Sequence, residues 1–203
     1  LDLHGYANDL AELCDVLRLR GAVLVGHSAG AMICALTAVR RPELASRLVL
    51  IGASPRYRDG PGYHGGFTER EVATLYEEVA RNYPEWADRF APRVMANGDR
   101  PDLARDFAAA LKTIPADRAL TVLCSIFQSD HRAEVARIAQ PTLIVQSRED
   151  AAVPREVAEF LRRTIPNSRL QVIDAAGHLP HVSAPAAVIQ AIRGFVDDAA
   201  APA

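Results

Sequence analysis

Residues 24–30 read Leu24-Val25-Gly26-His27-Ser28-Ala29-Gly30, a serine set between two glycines after an apolar run and directly before Ala31-Met32-Ile33. The pattern G-x-S-x-G acquires meaning when a strand precedes it and a helix follows. A tight strand-to-helix turn holds the serine in a strained backbone conformation. Bulky flanks would clash there, so small residues are expected two before and two after. The turn projects the hydroxyl outward, and the first N–H groups of the helix point at any oxyanion that develops beside it. Ser28 is therefore a candidate nucleophile, and the Ala29 N–H a candidate oxyanion donor.

A serine at its free pKa is a poor nucleophile and needs a base that a third group orients. In the α/β arrangement that places G-x-S-x-G at a strand end, the chain order is Ser, acid, His, on loops after later strands. The run Thr142-Leu143-Ile144-Val145-Gln146 leads into Ser147-Arg148-Glu149-Asp150, then Ala-Ala-Val-Pro. Asp150 is the expected acid, with Glu149 as the alternative. The run Leu170-Gln171-Val172-Ile173 leads into Asp174-Ala175-Ala176-Gly177-His178, and His178 is the expected base. Asp174 is a rival acid, but it lies on the histidine's own loop. His178 and His181 form H-x-x-H, a metal-binding spacing on a helix, but Pro180 between them argues against a helix, and no metal is expected. His27 is expected to pack and hydrogen-bond at the substrate site rather than act as a second base. His4, His64 and His131 are expected to be solvated.

The apolar runs order the chain. AVLV (22–25), LVLIG (48–52), TLIVQ (142–146) and LQVI (170–173) lack polar alternation, as strands buried on both faces of a parallel sheet do. Helical spacing recurs before the first run (Tyr6, Leu10, Leu13, Cys14, Leu17), after Ser28 to about Arg40, after Pro154, and through Val188, Ile192 and Phe195. Strand and helix alternate, which is the α/β signature. The stretch 54–139 breaks the alternation. A Gly/Pro-rich loop at 59–66 opens it. Four helical patterns follow, marked by Val72 to Tyr83, Trp86 to Val94, Leu103 to Ile114 and Leu120 to Phe127. This reads as a helical cap inserted between two strands, dividing the chain into 1–53, 54–139 and 140–203; a separate helical domain is the alternative. The Ala-Pro tail at 199–203 is expected to fray.

Bulk properties exclude several classes. The 203 residues are 49% hydrophobic and 24% charged with a net charge of −2, fitting a globular protein. No run of Lys or Arg suggests nucleic acid or an anionic membrane surface, and no apolar stretch reaches the roughly 20 residues that span a bilayer. Cys14, Cys34 and Cys124 are odd in number, widely spaced and set among apolar residues, so core packing and a reducing cytoplasm are expected. The first residue is Leu, not Met, and LDLHGYANDL runs straight into helical periodicity, so the chain is expected to begin inside a domain.

Longer stretches are more specific than the serine motif. GHSAGAMI (26–33), RRPELASRLVLIGASPRY (40–57), YHGGF (63–67), NYPEWADRFAP (82–92), IFQSDHR (126–132), QSREDAAVP (146–154) and GHLPHVSAP (177–185) together resemble the α/β-hydrolase family that contains the bacterial stress-response regulator RsbQ and the plant strigolactone and karrikin receptors. The resemblance spans nearly the whole chain and places Ser28, Asp150 and His178 on the family's catalytic triad. It implies a four-helix cap over a deep apolar pocket, with Tyr57, Trp86 and Phe90 lining it; on spacing alone, Trp86 and Phe90 would be cap core. It departs at the front, where the family has about four further strands and a loop bearing a second oxyanion donor. The nucleophile strand is therefore expected to show an open apolar edge, and this chain by itself to be nearly inactive. The resemblance implies a serine hydrolase of small apolar esters or lactones, without a cofactor. The alternative is a ligand-sensing protein that hydrolyses slowly and signals to a protein partner.

Overall fold

The apolar runs form a sheet of four parallel strands in the order β1 (Ala22–His27), β2 (Ala45–Ile51), β3 (Thr142–Glu149), β4 (Ser168–Ala176). The computed structural model describes residues 2–197; the expectation for the 199–203 tail lies outside them. In β2, Leu48 and Leu50 face one side and Val49 and Ile51 the other, and all four are at most 3% exposed. Burial on both faces is why this run carries no polar alternation.

Helices supply the two coverings. α1 (Leu3–Val16), α2 (Ala29–Arg40) and α7 (Arg155–Thr164) pack on one face through Leu3, Met32, Leu36 and Leu161. α9 (Pro185–Asp197) covers the other through Val188, Ala191 and Phe195. β1 has one strand neighbour among the described residues, β2. Val25 in β1 is 47% exposed, and Leu13, Val16, Leu17 and Leu19 on and after α1 are also exposed. No helix among the described residues is long and apolar enough to cross a membrane.

Between β2 and β3 the chain is helical: α3 (Glu69–Met95), α4 (Pro101–Lys112), α5 (Ala116–Phe127) and a single turn, α6 (Arg132–Val135). The first two expected helices are two arms of α3, joined at a kink where Asn82 leaves the helical region (φ −157°, ψ 84°). Pro84 removes a backbone donor there. The Asn82 side chain accepts the Glu85 N–H at 3.3 Å, capping the second arm. At the start of α3, Thr68 and Glu71 form a reciprocal capping box.

Three local expectations are corrected. Pro180 does not prevent a helix; it begins one, the short α8 (Pro180–Ser183), because a proline at the first helical position loses no bond. His178 stays outside that turn. Cys124 is half-buried, whereas Cys14 and Cys34 are buried. His131 is 5% exposed rather than solvated, since its N–H donates to the Pro55 carbonyl at 2.8 Å and its ring lies edge-on to His4.

Candidate active site

Ser28 occupies the turn between β1 and α2 with φ 54° and ψ −124°, a left-handed conformation that L side chains rarely adopt. Gly26 is what permits the turn. A Cβ there would lie 2.4 Å from the Gly30 carbonyl oxygen, and no neighbour could move aside because the obstacle is backbone. At Gly30 the steric expectation is corrected: a Cβ there would meet nothing within 4 Å among the described residues. The crowding is one-sided because the returning helix backbone passes over Gly26 while Gly30 faces outward.

A serine at a helix N-terminus usually caps its own helix. The Ser28 side chain makes no such bond. Its Oγ lies 2.8 Å from His178 Nε2 and 3.1 Å from the Tyr57 hydroxyl. His178 Nδ1 lies 2.9 Å from Asp150 Oδ2. Donor supply orients the whole chain. An ionised carboxylate only accepts, so His178 Nδ1–H donates to Asp150. His178 Nε2 then carries the lone pair that receives the Ser28 proton, and Tyr57 O–H donates to Ser28 Oγ. Asp150 is held in turn by the N–H groups of Ala152 (2.8 Å) and Val153 (3.0 Å) on Oδ1 and by Gln146 Nε2 (3.2 Å) on Oδ2.

The alternatives are placed elsewhere. Glu149 ends β3 with an exposed side chain, and its carbonyl accepts the Gly177 N–H. The Asp174 side chain is 81% exposed beside Arg148. The histidine loop depends on Gly177 (φ 91°), where a Cβ would sit 2.0 Å from the Met95 carbonyl oxygen. This close approach lets the His178 N–H donate to the Val94 carbonyl at 2.7 Å, tying the loop to the end of α3.

Three imidazoles crowd this site. The His27 ring lies tilted against both His178 (4.8 Å) and His181 (4.4 Å), and His27 Nε2–H donates to the His178 carbonyl at 2.7 Å. Burial, reinforced by the charge on His178, pushes His27 down to about 3. Burial also lowers His181. For Asp150, burial acts upward, but the hydrogen bond and charge of His178 and the Val153 and Ala152 amides carry it below its ordinary range. Burial pushes Tyr57 up to about 12 against its hydrogen bond to Ser28. His27 and His181 are thus kept neutral, while His178 alone rests on a carboxylate.

Above Ser28 opens a cavity of about 470 Å³. Tyr57, Trp86 and Phe90 line it together with Phe107, Leu111 and Phe127 from α4 and α5. His27, Ser28, His178 and His181 form its polar end. Tyr83, Trp86 and Phe90 stack in succession, with centroids 5.8 and 4.5 Å apart. Trp86 and Phe90 also border an outer groove of about 440 Å³ that carries Arg70, Arg89 and Arg93 and none of the Ser28 cluster. Sequence reasoning read Phe107, Leu111 and Phe127 only as helical spacing, without a place in the site, and did not find Gln146 or the Tyr57 hydroxyl contact. A buried glutamine just before the acid loop was the available signal for Gln146.

A strained serine between β1 and α2, followed by an acid after β3 and a histidine after β4, is a family-level arrangement. Residues 1–191 match the Alpha/beta hydrolase family. The chain belongs to that family. It is 38% identical over 192 residues to strigolactone esterase D14 of Arabidopsis thaliana, covering 94% of this chain and 72% of the relative. It is 39% identical over 189 residues to karrikin insensitive 2 receptor CA of Petunia hybrida, covering 92% and 70%. Among solved structures, a hydrolase from Oleispira antarctica superposes with a TM-score of 0.93 at 29% identity, covering 97% of this chain and 72% of that one.

Proposed function

We propose that this α/β hydrolase cleaves small apolar esters or lactones, with Ser28, His178 and Asp150 as its catalytic triad and the 54–139 segment as a cap over the substrate. Ser28 Oγ attacks the carbonyl carbon while His178 Nε2 takes its proton. The Ala29 N–H stabilises the oxyanion. Collapse of the intermediate expels the alkoxide, which takes the proton from His178, and leaves an acyl group on Ser28. Water then attacks the acyl group, gives a proton to His178, and frees Ser28 as that proton returns to Oγ. Asp150 keeps Nδ1 protonated throughout and stabilises the imidazolium.

The observation that carries this reading is the continuous donor chain from Tyr57 to Asp150, opening at Ser28 into an apolar cavity. Among the described residues the cavity lining is mostly apolar and includes no Arg, Lys, Asp or Glu, which favours small apolar substrates. In the full-length protein, Ser28→Ala abolishes hydrolysis of p-nitrophenyl acetate and leaves binding of an apolar ligand nearly unchanged. Full turnover by that variant would overturn the assignment.

The likeness to a karrikin receptor supports a second reading, a ligand sensor whose slow hydrolysis accompanies signalling to a protein partner. Turnover separates the two. A hydrolase releases many product equivalents per chain; a sensor releases about one and retains an acyl adduct detectable by intact mass.

A further inference from the structure

We propose that His4, His131 and Glu134 bind a divalent transition-metal ion of the zinc class, clipping the first turn of α1 to the segment by which the chain leaves the helical cap. The three side chains offer donor atoms that all lie within 4.8 Å of one another. His131 Nδ1 is 3.4 Å, and His4 Nε2 3.5 Å, from the same oxygen, Glu134 Oε1. Both are long for N–H···O hydrogen bonds, which cluster at roughly 2.7–3.2 Å. They match instead the edge of a tetrahedron around zinc, roughly 3.3–3.6 Å for metal–ligand bonds of about 2.0–2.2 Å. Two imidazoles and a carboxylate are also a ligand set that zinc favours over calcium or magnesium, which prefer oxygen.

The local fold preorganises these groups. His131 immediately precedes α6, and Glu134 lies three residues on, so their side chains share one face of a turn. The His131 N–H is fixed by Pro55 and its carbonyl by the Val135 N–H. His4 is held in the first turn of α1, which Asp2 caps by accepting the Gly5 N–H at 2.8 Å. The His131 side chain is 7% exposed, yet its Nε2 has no hydrogen-bond partner; neither has His4 Nδ1. These are the ring nitrogens opposite the ones that face Glu134, so no protein acceptor on the far side fixes either tautomer, and each ring is free to carry its proton there and present the nitrogen facing Glu134 as a lone pair. Glu134 and His4 are 26% and 39% exposed on their side chains, so a water can complete the fourth position from solvent. The site lies apart from the Ser28 cluster and serves the cap's anchorage rather than the reaction.

The experiment titrates Zn²⁺ into metal-stripped full-length protein against a chromophoric chelator, with thermal unfolding in parallel. One Zn²⁺ per chain is expected, with a Tm that rises with Zn²⁺ concentration. His4→Ala, whose ring is half-buried, and Glu134→Gln should each lower the affinity at least about tenfold and remove the Tm rise. His131→Leu should do the same where it folds. His181→Ala should retain the original affinity, which places the ion away from the three imidazoles beside Ser28. Zinc affinity unchanged in both His4→Ala and Glu134→Gln, loss of binding in His181→Ala, or binding that never saturates at one ion per chain would each overturn the site.

Discussion

At the floor of the cavity, Ser28, His178 and Asp150 are joined at 2.8 and 2.9 Å, and both Asp150 oxygens are filled by directed donors. At the roof, Tyr83, Trp86 and Phe90 stack in succession, Phe127 packs against Tyr57 and Phe67, and the Tyr83 hydroxyl donates to the Leu111 carbonyl. The floor is held by bonds with fixed direction, so moving one group by an ångström disconnects it. The roof is held by dispersion and burial, which depend on volume and tolerate change of detail. Substitutions at the floor are therefore expected to act on rate, and those at the roof on affinity.

The sharpest contrast comes from the acid. Asp150→Asn presents an amide to His178 and favours the wrong imidazole tautomer, so kcat should fall on the order of 10⁴-fold with little change in apolar ligand binding. Glu149→Gln should be nearly neutral. The reverse pattern, measured with the same chromogenic ester, would move the acid to Glu149.

A second test reads the floor through pH. Burial holds His27 at about 3 in the fold, against an ordinary value of 6.5. Between those values the unfolded chain binds a proton that the native state does not. This contribution to stability is complete above pH 6.5 and is lost as pH falls toward 3, with a slope of at most about 1.4 kcal/mol per pH unit. Urea unfolding of wild type and His27→Gln at several pH values isolates it: the variant should be flatter between pH 6.5 and 4. Parallel curves would show that His27 is not held neutral.

The smallest effect belongs to the roof. Trp86→Ala should weaken apolar ligands by roughly 1–3 kcal/mol while changing kcat only a few-fold. A fall in Tm with affinity unchanged would make Trp86 packing alone and erase the division between floor and roof.

The same division explains what sequence reading reached. Directed chemistry demands particular residues at particular places, so Ser28, Asp150 and His178 stood out at three strand ends, and the four strands stood out as apolar runs. Packing demands only apolar side chains at helical spacing. Phe107, Leu111 and Phe127 therefore read only as helical spacing, because a helix face turned to a cavity has the same periodicity as one turned to a neighbour. The kink in α3 was partly visible in Pro84, but two helices and one bent helix share a pattern. His131 was misplaced because its burial depends on Pro55 and His4, partners 76 and 127 residues away along the chain. Gly30 was assigned a steric role that, among the described residues, the backbone gives to Gly26, a matter of which way the helix turns rather than of composition.

The bond from the His178 N–H to the Val94 carbonyl ties the proposed general base to the end of α3. On the proposed function, a ligand that moved the end of α3 would act on the His178 loop, and displacement of that loop by an acyl group on Ser28 would act on α3. Such coupling free energy is the same in both directions. On that proposal, occupancy of the cavity and the position of His178 are two readings of one coordinate.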